Sequence, residues 1–363
     1  MTTCGRAERV RVLVISNLYP SPAHPAFGTF VEARVRALQG LGADVRVVAN
    51  RDPAVHRRIA PKYASLAWSA GREAAGDRLR GRRIDVVEAH IAYPTGLIAR
   101  PIAWLLGAPL VLFAHGGDVR DLPARSRLHA RLARATLGSA ALIIANSRFL
   151  AGEIARWFPA TTGRVRVLSP GIELDRFRSA PAVERAGVLF VGRLVAAKGA
   201  DVLIRAMAIL GGGAGPLTVV GDGPERPRLA ALARELGVVV EMPGNADHDA
   251  IAAAMRRAAV VVVPSTYPEP LGLVALEAMA SGAIVVASDV GGLAESITDG
   301  VNGFLVEPGD PAALAAVIDR ASRVAADPAA GGAMREAASA VAVTHDVRRS
   351  AEASLAWYGT LRA

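Results

Sequence analysis

Cysteine is almost absent from this sequence. Cys4 is the one cysteine in 363 residues, so neither a disulfide framework nor a cysteine-based metal site can form from the chain itself. This usage is typical of a reducing compartment, and we expect a cytoplasmic location. Aromatic residues are scarce as well, at 5% of the chain. Because a zinc-ligand pattern and an aromatic-rich strand motif are also lacking, nucleic acid is not an expected partner.

Long apolar runs are also missing. Residues 10–15 form a short run without a small-residue cleavage site, which predicts a first strand and not a secretory signal. The most apolar later stretch, residues 101–114, is interrupted by Gly107 and Pro109. Since a transmembrane helix needs about 20 mainly apolar residues, this stretch predicts a helix, a turn and a buried strand.

Positive charge is uneven along the chain. Residues 1–174 contain 25 Lys and Arg against 12 Asp and Glu, a balance of +13, and residues 175–363 contain 17 against 21, a balance of −4, which together give the net charge of +9. A basic first half suits an anionic acceptor or a peripheral contact with an anionic membrane. Arginine-rich coding bias on a solvated surface explains the same charge, and the sequence leaves both explanations open.

Short β-branched runs alternate with Ala-, Leu- and Arg-rich segments of helical spacing, which is the pattern of repeated βαβ units around parallel sheets. Their continuous hydrophobic character predicts burial on both faces. Eleven strands are predicted, at residues 10–16, 44–49, 85–89, 110–114, 141–145, 165–168, 187–191, 217–220, 238–242, 260–263 and 284–287.

The alternation pauses between residues 175 and 186, which predicts a domain boundary. We expect two Rossmann-like, doubly wound α/β domains, at residues 1–174 and 175–344. Residues 345–363 predict an amphipathic helix that packs back on the first domain. Each domain of this class binds ligands at the carboxyl ends of its strands.

A strand, a proline-bounded loop and a helix follow one another over residues 260–282. Pro268 and Pro270 keep the residues before them out of the helical region, so Glu269 lies in the loop. Glu277 lies inside the helix, where its carboxylate can accept two hydrogen bonds from a ribose diol. Acidic residues that favour a helix dipole are the alternative explanation, but Glu277 lies too deep in the helix for that role.

The start of this helix predicts an anion site. The helix begins near Gly272, after Leu271, so the amides of Gly272, Leu273 and Val274 lack helical partners and make a seat for a diphosphate.

These residues resemble the signature of the retaining family 4 glycosyltransferases, which is Glu, seven residues and Glu in the second domain of a GT-B type fold. The resemblance spans nearly the whole chain. It implies two Rossmann-like domains that face an interdomain cleft, the first for the acceptor and the second for a nucleotide-sugar donor. It also implies that Glu269 contacts the donor sugar and that Glu277 binds the ribose.

Residues 190–199, FVGRLVAAKG, resemble the family's pattern of an arginine and a lysine on the donor diphosphate, here Arg193 and Lys198. The chain has 40 arginines and two lysines, so the arginine bias has spared Lys198. A compact point charge suits a phosphate oxygen, and chance retention of this lysine is the alternative.

Three further turns of the second half contain candidate site residues. The turn at residues 221–225 predicts either ligand contact or a tight turn capped by Asp222. Gly244 falls where the family packs the nucleotide base against main chain, so the resemblance implies donor contact there. Asp247 and Asp249 have the spacing of metal-binding aspartates, but Asp247 is better explained as a helix cap. We therefore expect metal-independent chemistry, with no cofactor beyond the co-substrate.

Two loops of the first half resemble family elements. Gly28 begins a helix after a proline-rich loop that, in the family, lies over the donor phosphates, and Thr29 beside it is a candidate for acceptor contact. His115 follows a strand and precedes two glycines, and the resemblance assigns it to the reaction centre. Asp118 either binds the acceptor or caps the next helix.

The resemblance implies retention of the anomeric configuration. Arg193 and Lys198 would stabilise the leaving diphosphate, and His115 and Glu269 complete the expected catalytic set. A nucleotide-sugar 2-epimerase of the same fold and an inactive nucleotide-sugar-binding protein are the alternatives. The donor is expected to be uridine-linked, and the acceptor is a small molecule or a lipid. Arginines at 125, 127, 131 and 134, expected on one helix, suit an anionic lipid surface.

Overall fold

The computed structural model describes residues 9–22, 27–51, 59–179 and 184–361. Cys4, part of the loop before Gly28, part of the predicted boundary (180–183) and the last two residues of the predicted C-terminal helix lie outside these ranges. The chain divides into two compact units, Met1–Gly171 with Val347–Ala363, and Ile172–Asp346.

The first unit contains a sheet of six parallel strands in the order β2-β1-β3-β4-β5-β6. Its strands are β1 (Arg11–Ser16), β2 (Asp44–Ala49), β3 (Val86–His90), β4 (Leu110–Ala114), β5 (Leu142–Ala145) and β6 (Val165–Val167). Its helices are α1 (Thr29–Gly40), α2 (Ile59–Leu79), α3 (Thr95–Leu106), α4 (Asp121–Ala124), α5 (Arg127–Gly138), α6 (Arg148–Trp157) and, at the end of the chain, α14 (Val347–Leu361), with a 3-10 helix at Pro159–Arg164.

The second unit contains another parallel sheet, in the order β12-β11-β10-β7-β8-β9. Its strands are β7 (Ala186–Val191), β8 (Leu217–Val220), β9 (Val240–Gly244), β10 (Ala258–Val263), β11 (Ile284–Ser288) and β12 (Phe304–Val306). Its helices are α7 (Leu174–Phe177), α8 (Ala200–Leu210), α9 (Arg226–Glu235), α10 (His248–Arg257), α11 (Leu273–Ala280), α12 (Pro311–Ala326) and α13 (Pro328–Thr344), with 3-10 helices at Ala196–Lys198 and Gly292–Ser296.

Each sheet is covered on both faces. In β1, Val12 and Val14 enter one apolar cluster, whereas Leu13 and Ile15 enter another. Residues 260 and 262 of β10 likewise pack on the opposite side from 261 and 263. Since successive side chains of a strand point to opposite faces, two cores per sheet require continuous apolar strands. The predicted doubly wound α/β class is confirmed.

The predicted strands are all present, with ends that differ by up to two residues, and β12 was missed. Two strand starts differ by two residues: β10 begins at Ala258 and not at 260, and β9 begins at Val240 and not at 238. Gly237, with a φ of 66°, ends α9. The amide of Val238 then donates to the carbonyl of Ala233 at 2.8 Å, so it is engaged by the helix end.

Helix α14 packs on the first sheet. Its Tyr358 is fully buried in the cluster that contains Val14 and Phe113. Among the described residues, no helix is both long enough and apolar enough to cross a membrane.

The arginines expected on one helix are divided. Arg127, Arg131 and Arg134 are exposed on α5, but the prediction was wrong for Arg125, which lies between α4 and α5. The side chain of Ser126 accepts a hydrogen bond from the amide of His129 and so caps α5 after Arg125.

Candidate active site

Lys198 and Glu269 are in contact in the second unit. Glu269 lies in the loop after β10, and its Oε1 accepts hydrogen bonds from Lys198 Nζ at 2.5 Å and from Ser265 Oγ at 2.6 Å. The main chain of the loop is held as well, because the carbonyl of Glu269 accepts from the amide of Gly292 at 2.7 Å. The structure therefore brings together residues from two separate sequence motifs.

The position of Lys198 depends on the glycine that follows it. Gly199 has a φ of 67°, and a Cβ built there would lie 1.9 Å from the carbonyl oxygen of Pro264. Beside this approach, the amide of Thr266 donates to the carbonyl of Ala197 at 3.0 Å. Only glycine tolerates both this backbone conformation and the close approach of the Pro264 carbonyl. Gly199 therefore allows Lys198 to lie against the loop after β10.

Helix α11 begins directly after this loop. Gly272 precedes it with a φ of 86°, and no side chain caps this helix start. Leu271, which precedes Gly272, is buried. The first amides, of Leu273 and Val274, lie at the positive end of the helix dipole. This arrangement can bind an anion.

Glu277 lies in the second turn of α11 and is largely enclosed. Burial raises its pKa to about 8, the nearby charge of Glu173 adds to the increase, and Arg176 opposes it. The carboxyl group is therefore mostly protonated at neutral pH. Hydrogen bonds donated by a diol would favour its charged form.

Arg193 is exposed in the loop after β7. Within the described ranges it forms no ion pair with Glu269, unlike Lys198. The neighbouring turn at residues 221–225 supports this loop: the amide of Leu194 donates to the carbonyl of Asp222 at 2.9 Å, and a Cβ on Gly221 would lie 1.9 Å from the carbonyl oxygen of Gly192. Sequence reasoning missed this supporting role.

The remaining second-unit predictions concern main-chain positions and metal. Asp222 Oδ1 accepts from the amide of Gly223 at 2.7 Å, so it stabilises the turn itself. Gly244 ends β9, and its carbonyl accepts from Gly221 at 2.8 Å. Asp247 accepts from the amide of Ala250 at 2.8 Å, which confirms it as the cap of α10. No group of His, Cys, Asp or Glu in the described part of the chain is arranged to hold a metal ion.

In the first unit, the start of α1 lies beside His115. Gly28 precedes the helix with a φ of 76°, and a Cβ there would lie 2.9 Å from the carbonyl carbon of Leu18. Thr29 is the first helical residue and is partly exposed. The ring of Phe30 is 4.9 Å from that of His115, centroid to centroid. The structure thus brings the predicted glycine loop and the predicted histidine together.

His115 belongs to a hydrogen-bonded chain that sequence reasoning missed. Its Nε2 is 3.2 Å from Nδ1 of His90, and Nε2 of His90 is 2.8 Å from Oε1 of Glu88. Glu88 and His90 share one face of β3, and both are buried. The available signal was the pair of ionisable residues in the otherwise apolar strand VVEAH.

Glu88 is held at its other side by two distant residues. Arg34 donates to both carboxylate oxygens, at 2.7 and 3.2 Å, and the hydroxyl of Tyr358 donates at 2.5 Å. Burial alone would raise the pKa of Glu88, but the charge of Arg34 and the hydrogen bond from His90 hold it below its usual range. A buried carboxylate is thus kept ionised.

Burial favours the neutral form of both histidines. Burial lowers the pKa of His90, although Glu88 opposes this. Burial, His90 and Arg34 lower the pKa of His115 well below its usual value.

The loops after β3 and β4 are joined by Asp118. Its Oδ2 accepts from the amide of Ala92 at 2.7 Å, and its Oδ1 accepts from the amide of His115 at 3.0 Å. Burial raises its pKa to about 6. In the loop after β3, Ile91 has a φ of 70°, a strained conformation for a β-branched residue that is typical of functional sites. Acceptor contact by Asp118 stays a prediction.

Two further buried polar residues were not predicted. Asn146 follows β5, and its Nδ2 lies 3.5 Å from Nδ1 of His115. Lys62, the second lysine of the chain, is buried near the ring of Tyr63, and burial lowers its pKa to about 8. The scarcity of lysine that singled out Lys198 would also have singled out Lys62.

Two family models match the chain. The model described as Glycosyltransferase Family 4 matches residues 28–176, and the model described as Glycosyl transferases group 1 matches residues 171–329. The D-inositol 3-phosphate glycosyltransferase of Salinispora arenicola is 34% identical over 335 residues, which cover 77% of this chain and 72% of that protein. This chain belongs to glycosyltransferase family 4.

Other relatives of this chain match it over a shorter length. The D-inositol 3-phosphate glycosyltransferase of Streptomyces avermitilis is 40% identical over 226 residues, which cover 54% of this chain and 47% of that protein. The match spans 45% and 49% of two further relatives with that name. The chain thus spans about half the length of several curated relatives.

Solved structures of low sequence identity share the fold. Sucrose-phosphate synthase from Thermosynechococcus elongatus has a TM-score of 0.76 and 26% identity, and covers 97% of this chain and 99% of that chain. Anabaena HepE in complex with UDP-glucose has a TM-score of 0.74 and 22% identity, and covers 96% and 100%. The predicted GT-B type fold, with two Rossmann-like domains, is confirmed.

Proposed function

We propose that this chain is a retaining glycosyltransferase, which transfers a sugar from a nucleotide-diphosphate sugar to an acceptor hydroxyl without a metal ion. The observation that carries the proposal is the pair of Lys198 and Glu269, which lie 2.5 Å apart, with Glu269 in the loop directly before α11. One part of the second unit thereby contains a cation for phosphate, a carboxylate for sugar hydroxyls and the free amides of a helix start.

The donor is assigned to the second unit. Arg193 and Lys198 bind the diphosphate together with the amides that follow Leu271. Glu269 binds hydroxyls of the sugar, and Glu277 binds the ribose. Main chain at Gly244 contacts the base. The acceptor side is assigned to the first unit, with Gly28 near the phosphates, Thr29 and Asp118 toward the acceptor, and His115 in the catalytic set.

The reaction breaks the bond between the anomeric carbon and the diphosphate oxygen. The acceptor oxygen forms its new bond on the same face of the sugar, and its proton passes to a phosphate oxygen of the leaving group. Negative charge grows on the diphosphate during this step, so fixed positive groups lower the barrier. No protein base is required in this scheme.

Uridine diphosphate is the first nucleotide to test, because HepE holds UDP-glucose. An inositol phosphate is the first acceptor to test, because relatives are named for D-inositol 3-phosphate. The balance of +13 over residues 1–174, from 25 basic and 12 acidic residues, favours an anionic acceptor. A cytoplasmic location, with contact of α5 to an anionic membrane, is part of the proposal.

A thermal-shift screen against nucleoside diphosphates and their sugars tests the donor site, and incubation with the best donor tests turnover. Transfer of the sugar to an added acceptor supports the proposal. An epimerised donor without transfer would identify a 2-epimerase instead. Binding without any turnover of donor would identify an inactive nucleotide-sugar-binding protein.

A further inference from the structure

The hydrogen-bonded series of Glu88, His90 and His115 has a defined direction from donor to acceptor. Glu88 is an ionised carboxylate that is fully buried, so it can only accept hydrogen bonds. Its contact with Nε2 of His90, at 2.8 Å, therefore requires the proton of that ring to be on Nε2. Neutral imidazole carries one proton, so Nδ1 of His90 is left as an acceptor.

The same reasoning extends to the next ring. Nδ1 of His90 lies 3.2 Å from Nε2 of His115. Because Nδ1 is an acceptor, Nε2 of His115 carries the proton of that ring and donates it. Nδ1 of His115 then has a lone pair. The amide nitrogen of Asn146 faces it at 3.5 Å, which is longer than an ordinary hydrogen bond.

The surroundings hold this arrangement in place. The ring of His90 stacks on Phe113, with centroids 4.8 Å apart and planes 18° apart. Arg34 also packs on the ring of Phe113, with its guanidinium carbon 4.2 Å from the ring centroid. The carbonyl oxygen of the Asn146 side chain is buried without a hydrogen-bond partner among the described residues.

We propose that His90 is a positioning residue for His115: its Nδ1 accepts a hydrogen bond from Nε2–H of His115, which leaves Nδ1 of His115 to accept a hydrogen bond from a hydroxyl of the substrate. Glu88 sets the direction of the chain, and Arg34 and Tyr358 hold Glu88. This inference deepens the proposed function and rests on it where turnover is concerned. The tautomers themselves do not depend on it.

The direct test is a two-bond proton–nitrogen correlation spectrum of the full chain with ¹⁵N-labelled histidine, without any ligand. The signals of the two rings are assigned from the spectra of the His90→Asn and His115→Asn variants. We expect the spectrum to show His115 protonated on Nε2 and unprotonated on Nδ1. A proton on Nδ1 of His115 would overturn the inference, whatever the activity of the protein.

The same spectrum identifies the hydroxyl. Addition of UDP-glucose alone should shift the Nδ1 signal of His115 if the hydroxyl belongs to the donor, and addition of D-inositol 3-phosphate alone should shift it if the hydroxyl belongs to the acceptor. A Nδ1 signal that moves with neither, in a protein shown to turn both over, would contradict the role given to this atom.

A pair of variants separates positioning from packing. In His90→Asn, Oδ1 is attached to the same carbon as Nδ1 of histidine and can still accept from His115, whereas His90→Leu cannot. We expect His90→Leu to lower kcat by about tenfold to hundredfold with little change in KM, and His90→Asn to retain most of the activity. Equal losses in both variants would contradict the inference. If His90→Leu does not fold, the spectrum of the unmodified chain decides alone.

Discussion

Nζ of Lys198 and Oε1 of Glu269 lie 2.5 Å apart, although 71 residues separate them in the sequence. In the proposed function both residues contact the donor, the lysine through phosphate and the glutamate through sugar hydroxyls. A bound diphosphate would offer Lys198 a new anionic partner and leave Glu269 to the sugar. In the proposed function, the pair would thus satisfy both side chains when no donor is bound.

Removal of the Lys198 cation should weaken nucleotide binding. A charge-assisted hydrogen bond contributes about 1.5–3 kcal/mol, so Lys198→Ala should raise the Kd of the nucleoside diphosphate by about tenfold to hundredfold in calorimetric titrations. Arg323→Ala is the control, since Arg323 is an exposed cation of the same unit that pairs with Asp319. An unchanged Kd in Lys198→Ala would contradict the assignment.

Gly199 should be intolerant of a side chain. Gly199 and Gly237 have nearly the same φ, 67° and 66°, but a Cβ would lie 1.9 Å from Pro264 O at the first and meets nothing within 4 Å at the second. Gly237→Ala should cost about 1–2 kcal/mol for the left-handed conformation alone. Gly199→Ala should cost more in urea unfolding and should also weaken nucleotide binding. Equal effects would contradict the steric explanation.

Donor affinity should depend on the ionisation of Glu277. Its pKa is raised to about 8 in the free protein, and a ribose diol favours the charged form, so binding releases a proton. Affinity should therefore rise with pH between about 6 and 8, by up to about tenfold per unit, and level off above that.

Glu277→Gln is the matched comparison, because it removes the titration but not the titration of the nucleotide phosphate. The difference in pH dependence between the two proteins reports on Glu277 alone. Identical slopes, measured by titration calorimetry in buffers of known ionisation heat, would show that Glu277 does not take up this role.

Asp118 should mainly stabilise the loops after β3 and β4. Asp118→Asn places an amide against the main-chain donors of Ala92 and His115, so we expect a loss of about 1–3 kcal/mol in the free energy of unfolding. Asp121→Asn, at an exposed position on α4, is the control. A higher KM for the acceptor with unchanged stability would instead make Asp118 an acceptor-binding residue.

The exposed arginines of α5 should govern any membrane contact. We expect the chain to sediment with phosphatidylglycerol vesicles but not with phosphatidylcholine vesicles, and the double variant Arg127→Glu, Arg131→Glu to lose this preference. The control is the double variant Arg205→Glu, Arg257→Glu, because both arginines are exposed in the second unit. Absence of any preference for anionic vesicles would remove the membrane from the proposal.

Local patterns in the chain account for the elements that the sequence predicted well. Continuous β-branched runs marked eleven of the twelve strands. The missed strand β12 has three residues and pairs at the edge of its sheet with β11, whereas β6, which is equally short and also lies at an edge, was predicted. The order of loop, glycine, helix and two glutamates between 260 and 282 is also local, so the sequence could indicate that part of the site.

Contacts between distant residues could not be read from the sequence in this way. Tyr358 meets Glu88 across 270 residues, and Arg34 meets Glu88 across 54. No spacing rule connects such positions, because the fold alone brings them together. The need for glycine at 199 and 221 is equally hidden, since it arises from the carbonyl oxygens of other loops.

The most direct test of the central claim is the anomeric configuration of the product. The full chain is incubated with the nucleotide sugar that stabilises it most in the thermal-shift screen and with the acceptor that consumes it, and the transferred sugar is examined by proton NMR early in the reaction. We expect a coupling constant at the anomeric proton of the product that corresponds to the configuration of the donor. The opposite configuration, formed directly by the enzyme, would contradict retention and the same-face mechanism.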